Sequence, residues 1–255
     1  ATATGQLVLL PVLAWLVSEY SWRTAILLIF SLGILMFILL FIFMRNYPRD
    51  VGIPPLGEEK IAPEVVPPVG NPFKIAIAVL FEALRVKEFW LLASSFLICG
   101  LSTSGLIGTH FISYCMSFGI PVVTAASVLS IMGIFDLVGT TLSGWLSDRF
   151  DSRWLLFWYY SLRGLSLLAL PFALESGAYI WLIVFAVFYG LDWVATVPPT
   201  IELTRQRFGI QKSAMIYGWI FAAHQVGAGI AAYSGGVIYN VFGSYTWAFL
   251  LAGGF

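Results

Sequence analysis

Asp136, Arg163, Asp192 and His224 each lie deep within a long apolar stretch of the chain. Counting 1.5 Å per residue from the charged end of each stretch puts all four roughly 14 to 20 Å deep if the stretches are helices. An unpaired charge at the centre of a bilayer costs about 2.5–3.5 kcal/mol on insertion scales. Four similar depths in four segments therefore predict one shared, partly self-neutralising polar site. Loss of water favours the neutral acid, so Asp136 or Asp192 suits uptake and release of a coupling proton. Arg163 stays charged; it either neutralises one of these acids as a structural pair or holds an anion. His224 titrates near physiological pH.

Polar stripes at helical spacing accompany these residues. One runs Thr103, Ile107, His110, Tyr114, and a second Asp136, Thr140, Ser143. A third holds Tyr189, Asp192, Trp193, Thr196, and a fourth Tyr217, Phe221, His224, Gln225. His110 lies nearer the outer face and reads equally as an interfacial hydrogen-bonder or a ligand. The aromatic members could equally be packing groups. Pro198-Pro199 must break its helix, as suits a bend in a moving element.

The elements that position these residues follow from composition. The 255 residues are 60% hydrophobic and 10% charged, with a mean hydropathy of +0.91. Soluble domains carry about 25% charged residues, so the solvent that fits is a bilayer. Eight apolar segments are predicted, at about residues 1–17, 24–44, 88–116, 120–147, 154–174, 178–204, 213–241 and 245–255. In hydrocarbon every backbone group must be satisfied internally, which makes helices the default. The fold class is an all-α integral membrane protein with about eight transmembrane segments. The start of the chain has no initiator Met and no basic region of a signal peptide. Both ends read as cut within membrane helices, as in a fragment of a longer protein.

Residues 45–71 (RNYPRDVGIPPLGEEKIAPEVVPPVGN) are rich in proline and in both charge signs, and predict a water-exposed linker. Residues 73–88 mix apolar and charged positions at helical spacing, as a helix lying along the membrane surface does. The expected organisation is the end of one helix bundle at 1–44, a linker with an interfacial helix at 45–87, and a six-helix bundle at 88–255. Eleven of the thirteen Lys and Arg residues fall on one side of this arrangement: Arg45, Arg49, Lys60, Lys74, Arg85, Lys87, Arg149, Arg153, Arg205, Arg207 and Lys212. Arg23 is alone on the other side and Arg163 is within the membrane. The asymmetry makes the first side cytoplasmic and the location a plasma membrane or bacterial inner membrane. A faint repeat links Tyr20-Ser21-Trp22 to Tyr245-Thr246-Trp247, with Gln6 and Gln225 upstream, as two related bundles would. Cys99 and Cys115, 16 residues apart on one predicted helix, cannot bridge each other and read as small packing residues.

Residues 144–153, GWLSDRFDSR, place four charges between two apolar segments. Gly144 suits a close approach of two helices, and Asp148 and Arg149 can pair. The stretch resembles the loop motif G-x-L-[SA]-D-R-x-G-R-[RK] of the major facilitator superfamily of secondary transporters. Gly144, Leu146, Ser147, Asp148, Arg149 and Arg153 match, while Asp151 and Ser152 stand where the family has Gly and a basic residue. The resemblance covers essentially the whole chain. It implies the second copy of the motif, between helices eight and nine of twelve, acting as a gate latch through Gly144, Asp148, Arg149 and Arg153. It also places the four polar stripes on cavity-lining helices and Arg163 on a peripheral one. GLIGTHFISYC, GIFDLVGTTLSGWLSDRF and HQVGAGIAAYSGG resemble the monocarboxylate and oxalate/formate branch. That branch carries an Arg four residues after the acid of helix eight to hold the substrate carboxylate; here the position is Thr140.

The resemblance implies proton-coupled movement of a small organic solute, such as a monocarboxylate, by alternating access. The candidate substrate and proton residues are Asp136, Asp192, His224, Arg163, His110, Tyr114, Thr140 and Gln225. The alternative is a polytopic receptor or sensor without transport. No CxxC, HExxH, P-loop or G-x-S-x-G signature is present, so neither an enzyme, a cofactor nor a metal is expected. The zero net charge does not suggest a nucleic-acid partner. The expected partners are the lipid bilayer, a small molecule and protons, with the protein a monomer.

Overall fold

The computed structural model describes residues 2–45, 48–54 and 71–254. Most of the predicted linker, Lys60 included, lies outside the described residues, as do the side chains of Gln6 and Arg49. The helices are α1 (Thr2–Glu19), α2 (Trp22–Phe43), α3 (Pro72–Ala83), α4 (Lys87–Gly100), α5 (Gly108–Ser117), α6 (Val122–Ser147), α7 (Ser152–Glu175), α8 (Tyr179–Asp192), α9 (Val197–Phe208), α10 (Ile210–Phe242) and α11 (Thr246–Gly253). A π-helical stretch, Leu101–Ile107, joins α4 to α5, and a 3-10 turn covers Pro48–Val51. No strand occurs among the described residues.

Among the described residues, five helical segments are long and apolar enough to cross a membrane: Trp22–Phe43, Lys87–Ser117, Val122–Ser147, Ser152–Glu175 and Tyr179–Phe208. The other three of the eight expected segments are also helical, as α1, α10 and α11. Helix α1 has 18 residues and α11 has 8. Helix α10 has 33 residues, but its glycines, His224 and Gln225 dilute its hydropathy.

The chain forms two compact units, Leu16–Lys74 and Ala1–Trp15 with Ile75–Phe255. In the first, Ser21 caps α2 by accepting from the Thr24 amide at 3.4 Å, and α2 buries only Ala25. In the second, α10 packs chiefly on α4, and α8 packs on α6 and α7. Turns such as the one at Gly209, whose φ of +78° only glycine adopts without strain, connect them. Two apolar layers fill this unit. One gathers Phe111, Leu129, Met132, Leu170, Phe185 and Phe249. The other gathers Phe89, Phe96, Leu156, Ile216 and Ile220, with Val79 and Ala83 of α3 packed into it. Trp219 Nε1 donates to the Ala76 carbonyl at 3.1 Å, tying α3 to α10.

Membrane helices gain little hydrophobic energy from meeting one another, so small residues that admit close packing decide where they touch. A Cβ at Gly139 of α6 would stand 1.9 Å from the Leu191 carbonyl oxygen of α8. One at Gly100 of α4 would stand 1.9 Å from that of His224 in α10. Gly139 and Gly100 lie close to Asp136 and Cys99 in sequence, and the residues they cross are Leu191, next to Asp192, and His224, so the tightest crossings also align the polar residues. Gly144 is different from the expectation. Nothing lies within 4 Å of a Cβ built there, so it provides no close approach.

Candidate functional site

The site is organised by a break in a helix. Pro198 and Pro199 lack N–H groups, so the chain leaves α8 at Asp192 and resumes as α9 at Val197. Exposed backbone groups at this depth are costly, and several at the break find side-chain or main-chain partners. The Val194 carbonyl accepts from Val197 N at 2.9 Å. The Ala195 carbonyl accepts from Ser143 Oγ at 2.6 Å. The Val194 amide donates to Asp136 Oδ1 at 3.0 Å, and Thr140 Oγ1 donates to the same oxygen at 2.9 Å. Arg163 Nη2 donates to the carbonyls of Asp192 at 2.6 Å and Trp193 at 3.3 Å. Side chains of α6 and α7 thus stitch the break closed.

Arg163 also donates from Nε to Asp192 Oδ2 at 2.6 Å. Both side chains are buried, 2% and 7% exposed, so the pair is shielded from solvent screening. The guanidinium's third nitrogen, Nη1, lies 2.9 Å from Cys99 Sγ. Cys99 also meets Thr196 Oγ1 at 3.6 Å. Three buried atoms near the guanidinium have no hydrogen-bond partner: Asp192 Oδ1, Tyr189 Oη and Tyr160 Oη. The Tyr160 ring faces the guanidinium at 5.4 Å. A carboxyl with one oxygen held by a cation and the other unpartnered can take a proton without breaking an existing bond.

His224 is buried, and its main chain crosses α4 at Gly100, the residue after Cys99. Its ring stacks on Phe221 at 5.3 Å and lies against Phe96 at 5.4 Å. Its Nδ1 is 3.1 Å from Gln225 Oε1, which only accepts, so Nδ1 carries the proton and Nε2 accepts. Asp192 and Arg163 therefore gather at Cys99, with His224 within its electrostatic reach, while Asp136 and Thr140 join through the broken helix. Cys115 is an ordinary buried thiol and both cysteines are free. Cys99 packs in the apolar core as its type suggests, and its sulfur also meets Arg163 and Thr196. It sits four positions before Thr103, and extending that polar stripe by one turn includes it.

Two expected members are elsewhere. His110 Nε2 donates to the Ala232 carbonyl at 2.9 Å, and its ring packs on Tyr245 at 5.0 Å and against Gly235. Tyr114 Oη bonds Thr246 Oγ1 at 2.9 Å and stacks on Phe249 at 4.6 Å. Both dock the ends of α10 and α11 and do not approach Asp192.

The loop after α6 also differs from expectation. Arg149 does not pair with Asp148; it lies over the Trp145 ring at 4.1 Å and donates to the Trp145 carbonyl at 3.2 Å. Asp148 is within electrostatic reach of Arg205 on α9. Arg153 pairs with Asp151 at 2.7 Å, and Asp151 caps α7 by accepting from the Arg153 amide. The Arg153 guanidinium holds the Asp151 carboxyl below the usual carboxylate range. Ion pairs between elements at this end are instead Arg207 with Glu88, at 3.2 Å, and Lys212 with Glu82.

The family model described as Major Facilitator Superfamily matches residues 1–232. Monocarboxylate transporter 12-B of Danio rerio is 27% identical over 269 residues, covering 98% of this chain and 55% of that protein. Monocarboxylate transporter 13 of Rattus norvegicus is 27% identical over 249 residues, covering 96% of this chain and 52% of that protein. An uncharacterized MFS-type transporter, YcxA, of Bacillus subtilis (strain 168) is 25% identical over 150 residues, covering 58% and 36%. The chain spans about half the length of the first two. No solved structure matches it significantly.

Proposed function

Since the chain belongs to the major facilitator superfamily and is a multi-pass membrane protein, we propose that it forms part of a proton-coupled carrier of a small organic anion, in the first instance a monocarboxylate, working by alternating access. Residues 1–44 end one bundle, 45–87 form a cytoplasmic linker and 88–255 contribute the second bundle. The protein works as a monomer in the bilayer and is not an enzyme.

The observation that carries this reading is the buried pair of Arg163 with Asp192, whose Oδ1 is unpartnered. Protonation of Asp192 at Oδ1 removes the charge that occupies Arg163. The guanidinium, which stays cationic, is then free for a substrate carboxylate. Proton and anion thereby bind in order, which is the essence of symport. Arg163 serves where the related branch uses the Arg replaced here by Thr140. Asp136 positions the site, because its Oδ1 already accepts two hydrogen bonds. The relatives' names support the substrate class.

The test is uptake of labelled lactate by the full-length protein in vesicles, with and without an inward proton gradient. Gradient-stimulated uptake that Asp192→Asn uncouples is the expected result. Uptake indifferent to the gradient in the wild type sinks the coupling. A folded protein that carries no solute at all returns the receptor or sensor alternative.

A further inference from the structure

Arg163 has two acidic neighbours. Its Nε holds Asp192 at 2.6 Å and its Nη1 holds the Cys99 sulfur at 2.9 Å. The thiol is buried, on the opposite side of the guanidinium fork from the carboxylate. From α7 it faces Arg163 and Tyr160, and from α8 Asp192 and Tyr189. On α10, which crosses α4 at Gly100, His224 and Tyr217 are within its electrostatic reach, and Thr196 of the break is 3.6 Å away. Asp136 on α6 acts on the same cluster through Asp192 and Arg163. Among these only Arg163 is a permanent cation.

We infer that Cys99 is the alternate counterion of Arg163: when the Asp192 carboxylate takes up its proton, the Cys99 thiol gives its own proton to His224 and the thiolate holds the guanidinium. The inference rests on the transport reading above and supplies a step that reading lacks. A guanidinium stripped of its carboxylate in so apolar a place is costly until a substrate anion arrives. In the exchange the S–H bond of Cys99 breaks and its electron pair stays on sulfur. The proton forms an N–H bond at His224 Nε2, the nitrogen left open by the Gln225 contact. One proton has entered, at Asp192, so the site gains a single positive charge, and an incoming carboxylate cancels it. When the carboxylate takes Arg163, the thiolate recovers its proton from His224.

Infrared difference spectra of the full-length protein in lipid vesicles test this directly. The sample is acidified from about pH 8 to about pH 5, the range in which imidazoles exchange protons. A carboxylic-acid C=O band should grow while an S–H stretching band is lost. Asp192→Glu should shift the first band and Cys99→Ser should abolish the second change; Cys115→Ser should alter neither. The wild-type spectrum alone decides the matter if a variant fails to fold. Growth of the acid band with an unchanged S–H band overturns the exchange, as does an S–H band at pH 8 that Cys99→Ser leaves undiminished. If no acid band grows, Asp192 takes up no proton, and the coupling reading falls together with the exchange. Uptake gives a second readout. Cys99→Ser should move the pH of half-maximal uptake toward acid by about one unit, since an alcohol cannot replace the lost carboxylate. An unmoved pH profile contradicts the inference while leaving transport itself intact.

Discussion

Arg163 reaches Asp192 twice, through Nε to the carboxylate Oδ2 and through Nη2 to the main-chain carbonyl, both at 2.6 Å. One side chain thus neutralises the acid and closes the end of the helix that carries it. Removing one partner of a buried pair costs about 3–5 kcal/mol because the other is left uncompensated. Arg163→Gln should fall in or above that range, since the carbonyls of Asp192 and Trp193 lose their donor as well. Arg163→Lys keeps the charge but not the fork, and should recover only part of the loss. Asp192→Asn keeps the main-chain bonds and should be the mildest of the three. Thermal unfolding of the full-length variants in detergent gives the order. If Lys restores full stability, the planar fork has no role in the break.

Asp136 serves the break differently. Its Oδ1 accepts from Thr140 and from the Val194 amide, and a neutral amide oxygen can accept both. Asp136→Asn should therefore leave stability and the pH profile of uptake close to wild type. Asp136→Ala strands the buried Val194 N–H and should cost about 1–3 kcal/mol. Loss of proton coupling in a stable Asp136→Asn protein would make Asp136 the carrier and refute the assignment to Asp192.

Much of this was visible in the chain itself. The helix limits followed the apolar runs because lipid forbids unpaired backbone, and Pro198-Pro199 marked the break. The pairing of Arg163 with one of the two acids also followed from the cost of lone charges. Which acid it meets did not, because that depends on how far each helix is rotated. The rotation is set by the crossing of Gly139 on Leu191, and one helix's sequence does not reveal its neighbour's face. The same reason hid Cys99, whose surroundings come from α7, the break and α10. Gly144 misled because its motif suggested a crossing that the packing places five residues earlier, about 140° around the helix.

Gly139 and Gly144 of α6 should accordingly respond in opposite senses. Gly139→Ala drives a methyl into the Leu191 carbonyl, and forced overpacking costs about 1–3 kcal/mol or more. It should also move Asp136 away from the Val194 amide and weaken uptake. Gly144→Ala meets open space, and alanine is the better helix former by about 1 kcal/mol, so stability should hold or rise. Parallel thermal unfolding and uptake measurements compare them. Equal damage from both substitutions would mean that the α6–α8 crossing is not where it is placed here.

Asp151 provides a control for pH effects. It lies outside the membrane segments, and the side-chain bond from Arg153 holds its carboxyl below the usual range. The sign follows from that direction. An acid held more strongly ionised in the folded state contributes above its ordinary titration range, near about pH 4, and that contribution fades only as pH falls through the lower folded value. The Asp151–Arg153 contact and the cap on α7 should therefore be constant between about pH 5 and 8. Asp151→Asn should loosen the start of α7, read as faster amide hydrogen exchange there, yet leave the pH profile of lactate uptake unmoved. If that profile shifts with Asp151→Asn, the pH sensitivity belongs to the loop between α6 and α7, and the buried cluster around Arg163 is not its source.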